Sequence, residues 1–393
     1  MRAIISVGGR FHAFNLAAQL EKHEALERLI TSYPKYEVVK YGIPGNKVSS
    51  IVAKEVIQRF WDRTPAGVRA RWDYSWFLHE LFDKKASRLL VPAGIFVGWS
   101  SFSLRAMRAA KNMGMVTVLD HGSSHIEYQR DILKEEYERF GLRPVLPHPK
   151  IVAKELKEYS EADRIAIPSL FVKRTFIEKG VPESKLIHVP YGVDLSRFRQ
   201  VPKEDNVFRV IFAGGMTLRK GVHYLMQAFA ELKLPNSELM LIGTMNDEMK
   251  KFFERYEVRN NTKIRKGENG INYIGHVPQA ELYKYYSQGS VFAMMSIEEG
   301  LALVQPQAMA CGLPVIATTN TGAEDIVREG KDGFIIPIRD IAALKEKLVY
   351  LYEHPDVREA MSRSAKERVS SGFTWDDYGN KMVAEYEKIL KGK

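Results

Sequence analysis

The stretch Phe212-Ala213-Gly214-Gly215-Met216-Thr217-Leu218-Arg219-Lys220-Gly221 decides how this chain is read. It begins at the end of an apolar run, Phe208–Phe212, and leads into a helical pattern. Glycines at the carboxyl end of a strand let the chain turn sharply and let a ligand approach the backbone. Their N–H groups lie open, the helix amino terminus favours negative charge, and Arg219 and Lys220 add two cations. This set suits a diphosphate neutralised without a metal. No Asp-x-Asp occurs to clamp a metal-bound nucleotide. The plainer reading is an ordinary βα turn with surface cations.

The pattern recurs along the chain. Apolar runs precede helical patterns at Ala3–Val7, Gly94–Val97, Val116–Leu119, Arg164–Ile167 and Leu186–Val189. They continue at Leu239–Ile242, Ile271–Ile274, Val291–Met294, Pro314–Ala317 and Phe334–Ile336. Continuous rather than alternating apolar runs suit strands buried on both faces. The fold class is therefore α/β, with two Rossmann-like domains facing each other across a cleft. The chain's 393 residues exceed one typical core. The expected division is residues 1–196, a polar linker 197–206, residues 207–373, and a last helix over 374–393.

Three further constellations carry chemistry. In Ser296-Ile297-Glu298-Glu299-Gly300-Leu301-Ala302-Leu303-Val304-Gln305-Pro306-Gln307 a carboxylate follows a strand and precedes glycine and a helix. Glu299 is placed to accept bonds from sugar hydroxyls, Gly300 and its neighbours offer N–H groups, and Gln307 falls two helical turns on. In Val116-Thr117-Val118-Leu119-Asp120-His121-Gly122-Ser123-Ser124-His125 a histidine follows a buried strand, with His125 as the alternate to His121. A lone histidine is more often structural; two flanking Gly-Ser-Ser favour a functional role. Gly8-Gly9-Arg10-Phe11-His12 is a glycine turn after the first strand, a weak signal alone.

Net charge is +10. Residues 1–196 hold 30 Lys/Arg against 22 Asp/Glu, and residues 197–393 hold 28 against 26. The basic half either is plainly solvated or faces an anionic partner such as a phospholipid surface or lipid-pyrophosphate. Val48–Arg71 reads as a basic amphipathic helix. Val52, Val56 and Phe60 stand four apart among Lys54, Arg59, Arg63, Arg69, Arg71, Trp61 and Trp72. Such a helix suits a membrane interface, or packs on its own domain. No zinc spacing, RNP-type aromatic motif or arginine-rich arm points to nucleic acid. The single cysteine, Cys311, suits a reducing cytoplasm. No apolar run reaches the roughly 18 residues of a membrane span. The expected place is the cytoplasm, at the inner face of the membrane.

Taken in order, these residues resemble glycosyltransferase family 4, retaining enzymes of GT-B architecture. The resemblance covers most of the chain and is densest from Ala162-Asp163-Arg164 onward. It includes Val189-Pro190-Tyr191-Gly192-Val193-Asp194 with Phe198, the loop Gly214–Gly221, Ile274-Gly275-His276-Val277-Pro278, and Glu299-Gly300 through Ile316. The resemblance implies that Arg219 and Lys220 hold the donor diphosphate and that Glu299 contacts the donor sugar. It implies that His276 and Val277 meet the base, His121 lies near the transferred sugar, and Gly9 approaches the diphosphate. It extends donor binding to Gly214, Gly215, Gly300, Leu301, Ala302, Leu303 and Gln307, with no metal or cofactor, and returns the last helix to the first domain. Two positions depart. Gln307 stands where the family's second glutamate binds the ribose, and Ala302 where a glycine is usual. The implied reaction moves a sugar from a nucleoside diphosphate sugar to a glycan or lipid-linked hydroxyl. A non-catalytic binding subunit and an epimerase of the same architecture are the rivals.

Overall fold

The computed structural model describes residues 1–64, 74–260 and 270–392. Seven parallel strands form the first sheet: β1 Ala3–Val7, β2 Leu26–Thr31, β3 Val48–Ser50, β4 Ile95–Trp99, β5 Val116–Asp120, β6 Arg164–Ile167 and β7 Leu186–His188. Their order is β3-β2-β1-β4-β5-β6-β7. Six parallel strands form the second: β8 Phe208–Ala213, β9 Ser237–Ile242, β10 Ile271–Gly275, β11 Val291–Met294, β12 Val315–Thr318 and β13 Gly333–Ile336. Their order is β10-β9-β8-β11-β12-β13.

The apolar runs dictate this arrangement. Neighbours such as Ile4 and Ile5, or Val210 and Ile211, point to opposite faces, and each is fully buried. Helices must therefore cover both faces of each sheet. The strand order reverses between β1 and β4 and again between β8 and β11. At such reversals the connections diverge to opposite faces and leave a crevice at the carboxyl ends of the strands. Gly8-Gly9 follows β1, Gly214-Gly215 follows β8, and Met295–Gly300 follows β11, so the quoted turns meet the two crevices.

Two strands escape the apolar-run reading. In β2, Leu26-Glu27-Arg28-Leu29-Ile30-Thr31, the charged pair breaks the run: Glu27 pairs with Arg2 at 2.8 Å and Arg28 donates to the Leu89 carbonyl at 2.8 Å. Val48–Ser50 is a strand beside β2, not the start of a helix, and the helix occupies Val52–Asp62. On that helix Val56 and Phe60 are 60% and 75% exposed. Lys54 is buried against Glu55. Arg69, Arg71 and Trp72 lie outside the described residues. No helix among the described residues is long and apolar enough to cross a membrane.

The chain passes between the sheets twice, and the two passages touch. Val193 donates its N–H to the Phe373 carbonyl at 2.8 Å. A Cβ on Gly192 would stand 2.5 Å from the Thr374 backbone, so only glycine allows this approach. Thr374 and Asp377 then form a reciprocal capping box that starts the helix Trp375–Lys391. That helix packs on the helix Ala13–Lys22, with Asp376 taking Gln19 at 2.9 Å and Lys22 at 2.8 Å.

Candidate active site

After β8 the loop narrows to a single 3-10 turn, Leu218–Lys220, which presents Arg219 and Lys220. Gly221 follows in the left-handed region at φ 61°, and a Cβ there would lie 1.8 Å from the Met295 carbonyl oxygen. Glycine thus lets the loop after β8 press against the chain leaving β11. The Ile297 N–H returns a bond to the Arg219 carbonyl at 2.8 Å. The two turns form one unit, with Lys220 ion-paired to Glu299. Arg219 Nε lies 2.8 Å from Glu298 Oε2 and donates to the Glu298 carbonyl at 3.0 Å. Burial pulls the Arg219 guanidinium down, but Glu298 and then Glu299 outweigh it and raise it.

Glu298, which the sequence reading passed over, is fully buried. Its Oε1 accepts from the Ser123 hydroxyl at 2.8 Å, the Ser124 N–H at 3.0 Å and the Ser124 hydroxyl at 2.7 Å. Its Oε2 accepts from Gln129 at 3.0 Å. Burial pushes this carboxyl up; the Arg219 charge and the serine bonds overcome that and hold it at about 2. Arg219 also donates to the Ser123 hydroxyl at 3.2 Å. Two adjacent glutamates therefore occupy the two cations, one holding each.

The two histidines of the loop after β5 are both buried. His121 and His125 are 3% and 2% exposed. Both rings pack against Tyr159 and Phe176, with centroids about 5 Å away. His121 Nε2 lies 3.0 Å from the Ser124 carbonyl oxygen. His125 Nδ1 accepts from the Glu127 N–H at 3.3 Å and caps the helix Ile126–Arg139. Burial first, then the nearby His121 and Lys179, lowers His125 to about 4. Both imidazoles are thus buried against the aromatic pair.

A cleft of about 550 Å³ holds a different histidine, His12, with Arg10, Phe11, Asp194, Leu303 and Gln307. His12 Nε2 lies 3.0 Å from Asp120 Oδ1, and its ring stacks on Tyr191 at 4.0 Å. The signal was the weak Gly-Gly-Arg-Phe-His turn; nothing in the sequence pairs it with Asp120. Gly9 lies in the same turn, its carbonyl accepting from Thr31 at 2.9 Å. Leu301 and Ala302 are buried, and the Ala302 N–H is already bonded to the Thr321 carbonyl at 3.2 Å. Nothing packs where a Gly215 side chain would lie, and Gly214 is at φ 149°. His276 and Val277 line a separate hollow of about 660 Å³ with Glu281, Tyr283 and Tyr285. The structure thus joins Arg219, Lys220, Glu299 and Gly300 in one unit, and Leu303 and Gln307 in the neighbouring cleft.

Comparison with solved structures fits this geometry. The chain superposes over its full length on sucrose-phosphate synthase of Thermosynechococcus elongatus, covering 100% of both chains with a TM-score of 0.72 at 17% identity. It superposes on HepE of Anabaena in complex with UDP-glucose over 100% of both chains, with a TM-score of 0.69 at 16% identity. The fold is GT-B. The family model described as glycosyl transferases group 1 matches residues 195–368, which run from just before the linker through most of the second sheet's domain. Among curated proteins, the chain is 28% identical over 186 residues to the capsular polysaccharide biosynthesis glycosyltransferase CapM of Staphylococcus aureus, 47% of each chain. It is 25% identical over 245 residues to a GDP-mannose-dependent monoacylated alpha-(1-6)-phosphatidylinositol monomannoside mannosyltransferase of Corynebacterium glutamicum, 57% of this chain and 62% of that one. The chain spans about half the length of the curated relatives it matches, with shares such as 53% and 48%.

Proposed function

We propose that this chain is a retaining glycosyltransferase of family 4 that moves a sugar from a nucleoside diphosphate sugar to a hydroxyl acceptor. The observation that carries the reading is the ion pair of Lys220 with Glu299, beside Arg219, where the strand order of the second sheet reverses. A bound diphosphate takes Lys220 and the unused N–H groups of Arg219, which frees Glu299 for the sugar hydroxyls. As the glycosidic bond breaks, charge grows on the departing phosphate, and these cations stabilise it without reorganising. The departing phosphate assists the acceptor on the same face, so configuration is retained. Lys220 and Arg219 supply the positive charge, and transfer needs no metal. Gln307 and Leu303 take the ribose side, and the hollow at His276 and Val277 the base. The neighbour HepE, solved with UDP-glucose, supports a nucleotide-sugar donor. The relatives' names support a surface polysaccharide or a lipid-linked acceptor.

The test is incubation with UDP-, GDP- and ADP-sugars and hydroxyl acceptors, with product analysis and a chelator arm. Transfer that survives chelation and is lost in Lys220→Ala and Glu299→Ala supports the reading. Tight binding with no turnover points instead to a binding subunit. An epimerised donor formed without acceptor points to an epimerase.

The helix Val52–Asp62 supports a place on the cytoplasmic membrane face. Val52, Val56, Ile57 and Phe60 are exposed apolar side chains on it, and Arg59 and Arg63 are exposed beside them. An apolar stripe flanked by cations inserts shallowly into an anionic lipid surface. Flotation with phosphatidylglycerol vesicles, but not with phosphatidylcholine vesicles, and its loss in Val56→Asp/Phe60→Asp, is the expected result.

A further inference from the structure

We infer that Glu298 is a positioning residue that locks the first domain's loop onto the turns after β8 and β11 and so ties transfer to closure of the cleft, an inference resting on the transfer reading above. The argument begins with what a buried carboxylate needs. Ionised and out of water, it is tolerated only when its lone pairs are filled and a cation lies beside it. Glu298 meets that need across two parts of the chain. Ser123, Ser124 and Gln129 come from the loop and helix after β5 of the first sheet. Arg219 comes from the loop after β8 of the second. Neither side alone satisfies the carboxylate, so separating the domains would strand it.

The same atoms fix Arg219. Its Nε is held by the Glu298 carboxylate and carbonyl, and a terminal nitrogen reaches Ser123 at 3.2 Å. The guanidinium is therefore shared: its Nε stays on the second domain's own turn, and one terminal nitrogen reaches the first domain's loop. Glu299, the next residue, carries the other half of the site on the same turn. Glu298 thus acts through its neighbours and need not touch substrate.

Two variants separate this role from a merely structural one. Glu298→Gln keeps the shape and an acceptor for the serines but removes the charge opposite Arg219. The lost docking lowers kcat by roughly ten- to a hundredfold. Affinity for the nucleoside diphosphate holds or rises, because a negative charge beside the phosphate loop has gone. Ser123→Ala/Ser124→Ala keeps the charge and removes the bonds from the first domain. It lowers kcat similarly and leaves diphosphate affinity unchanged. In both variants the radius of gyration of the ligand-free protein, by small-angle scattering, exceeds that of the wild type. Equal losses of kcat and diphosphate affinity, or variants as compact and active as the wild type, overturn the inference. If the wild type binds none of UDP, GDP or ADP, the transfer reading itself fails and takes this inference with it; binding and turnover by the wild type confine any failure to Glu298.

Discussion

A Cβ placed on Gly300 would stand 1.9 Å from the carbonyl oxygen of Gly122. The turn after β11 therefore meets the turn after β5 backbone to backbone, and Ser169 seals the contact by donating to the Gly300 carbonyl at 2.6 Å. Gly300→Ala puts a methyl group where no space exists. Either the backbone shifts, at about 1–3 kcal/mol for an overpacked site, or the domains part. Thermal unfolding and turnover assays on Gly300→Ala are expected to show a lowered Tm with most transfer lost. Wild-type activity in Gly300→Ala would show that the contact is not needed.

Lys220 and Glu299 satisfy each other, so their substitutions should not add. Lys220→Ala removes a charge facing the leaving group, and a loss of about 10²–10³ in kcat is expected. Glu299→Ala also leaves Lys220 without its partner. The double variant should lose less than the product of the two single losses, because each single change already breaks the shared pair. Kinetics on the three variants measure the interaction directly. Independent, multiplying losses would mean that the pair does not act as a unit.

Acid should weaken the fold in two steps. His125 is held at about 4 against an ordinary 6.5. The unfolded chain takes up that proton first, so stability is whole above about pH 6.5 and falls as pH drops towards 4. Glu298 is held at about 2 against 4.5, so its contribution is present above 4.5 and is lost as pH falls through 2. A shift of that size corresponds to something on the order of 3 kcal/mol. Urea unfolding at stepped pH should show the upper step vanish in His125→Gln and the lower step shrink in Glu298→Gln. A wild-type profile flat from pH 7 to pH 3 contradicts both assignments.

Gln307 is 7% exposed and borders the inter-domain cleft. A carboxylate there accepts hydroxyl bonds roughly twice as strong as an amide's. Gln307→Glu should tighten nucleoside diphosphate binding by about 1 kcal/mol, read by calorimetry, while the corresponding free base is unaffected. Unchanged or weaker diphosphate binding would place the ribose elsewhere.

Much of this molecule was legible because burial writes itself into composition. Strands covered on both faces leave unbroken apolar runs, and β1, β5, β8 and β11 stood where those runs did. The hidden strand β2 carries Glu27 and Arg28, whose partners, Arg2 and Leu89, lie far along the chain. The site divided in the same way. Arg219 and Lys220 follow a glycine-marked strand end, and Glu299 sits between a strand and Gly300, both local signals. Glu298 looked like one more loop carboxylate, since its four partner residues lie 79 to 175 residues away. Position after a strand does not say which way the His121 ring turns. Tyr159 and Phe176 decide that, and they arrive from other helices.

The bond from Val193 to the Phe373 carbonyl, with Gly192 against Thr374, fastens the two passages between the sheets at one spot. Two halves stapled along one edge cannot slide past each other; they can only swing, as pages do about a spine. A covalent bridge engineered at that spine would leave the swing intact. One between positions 122 and 300 would arrest it, trapping whatever lay inside.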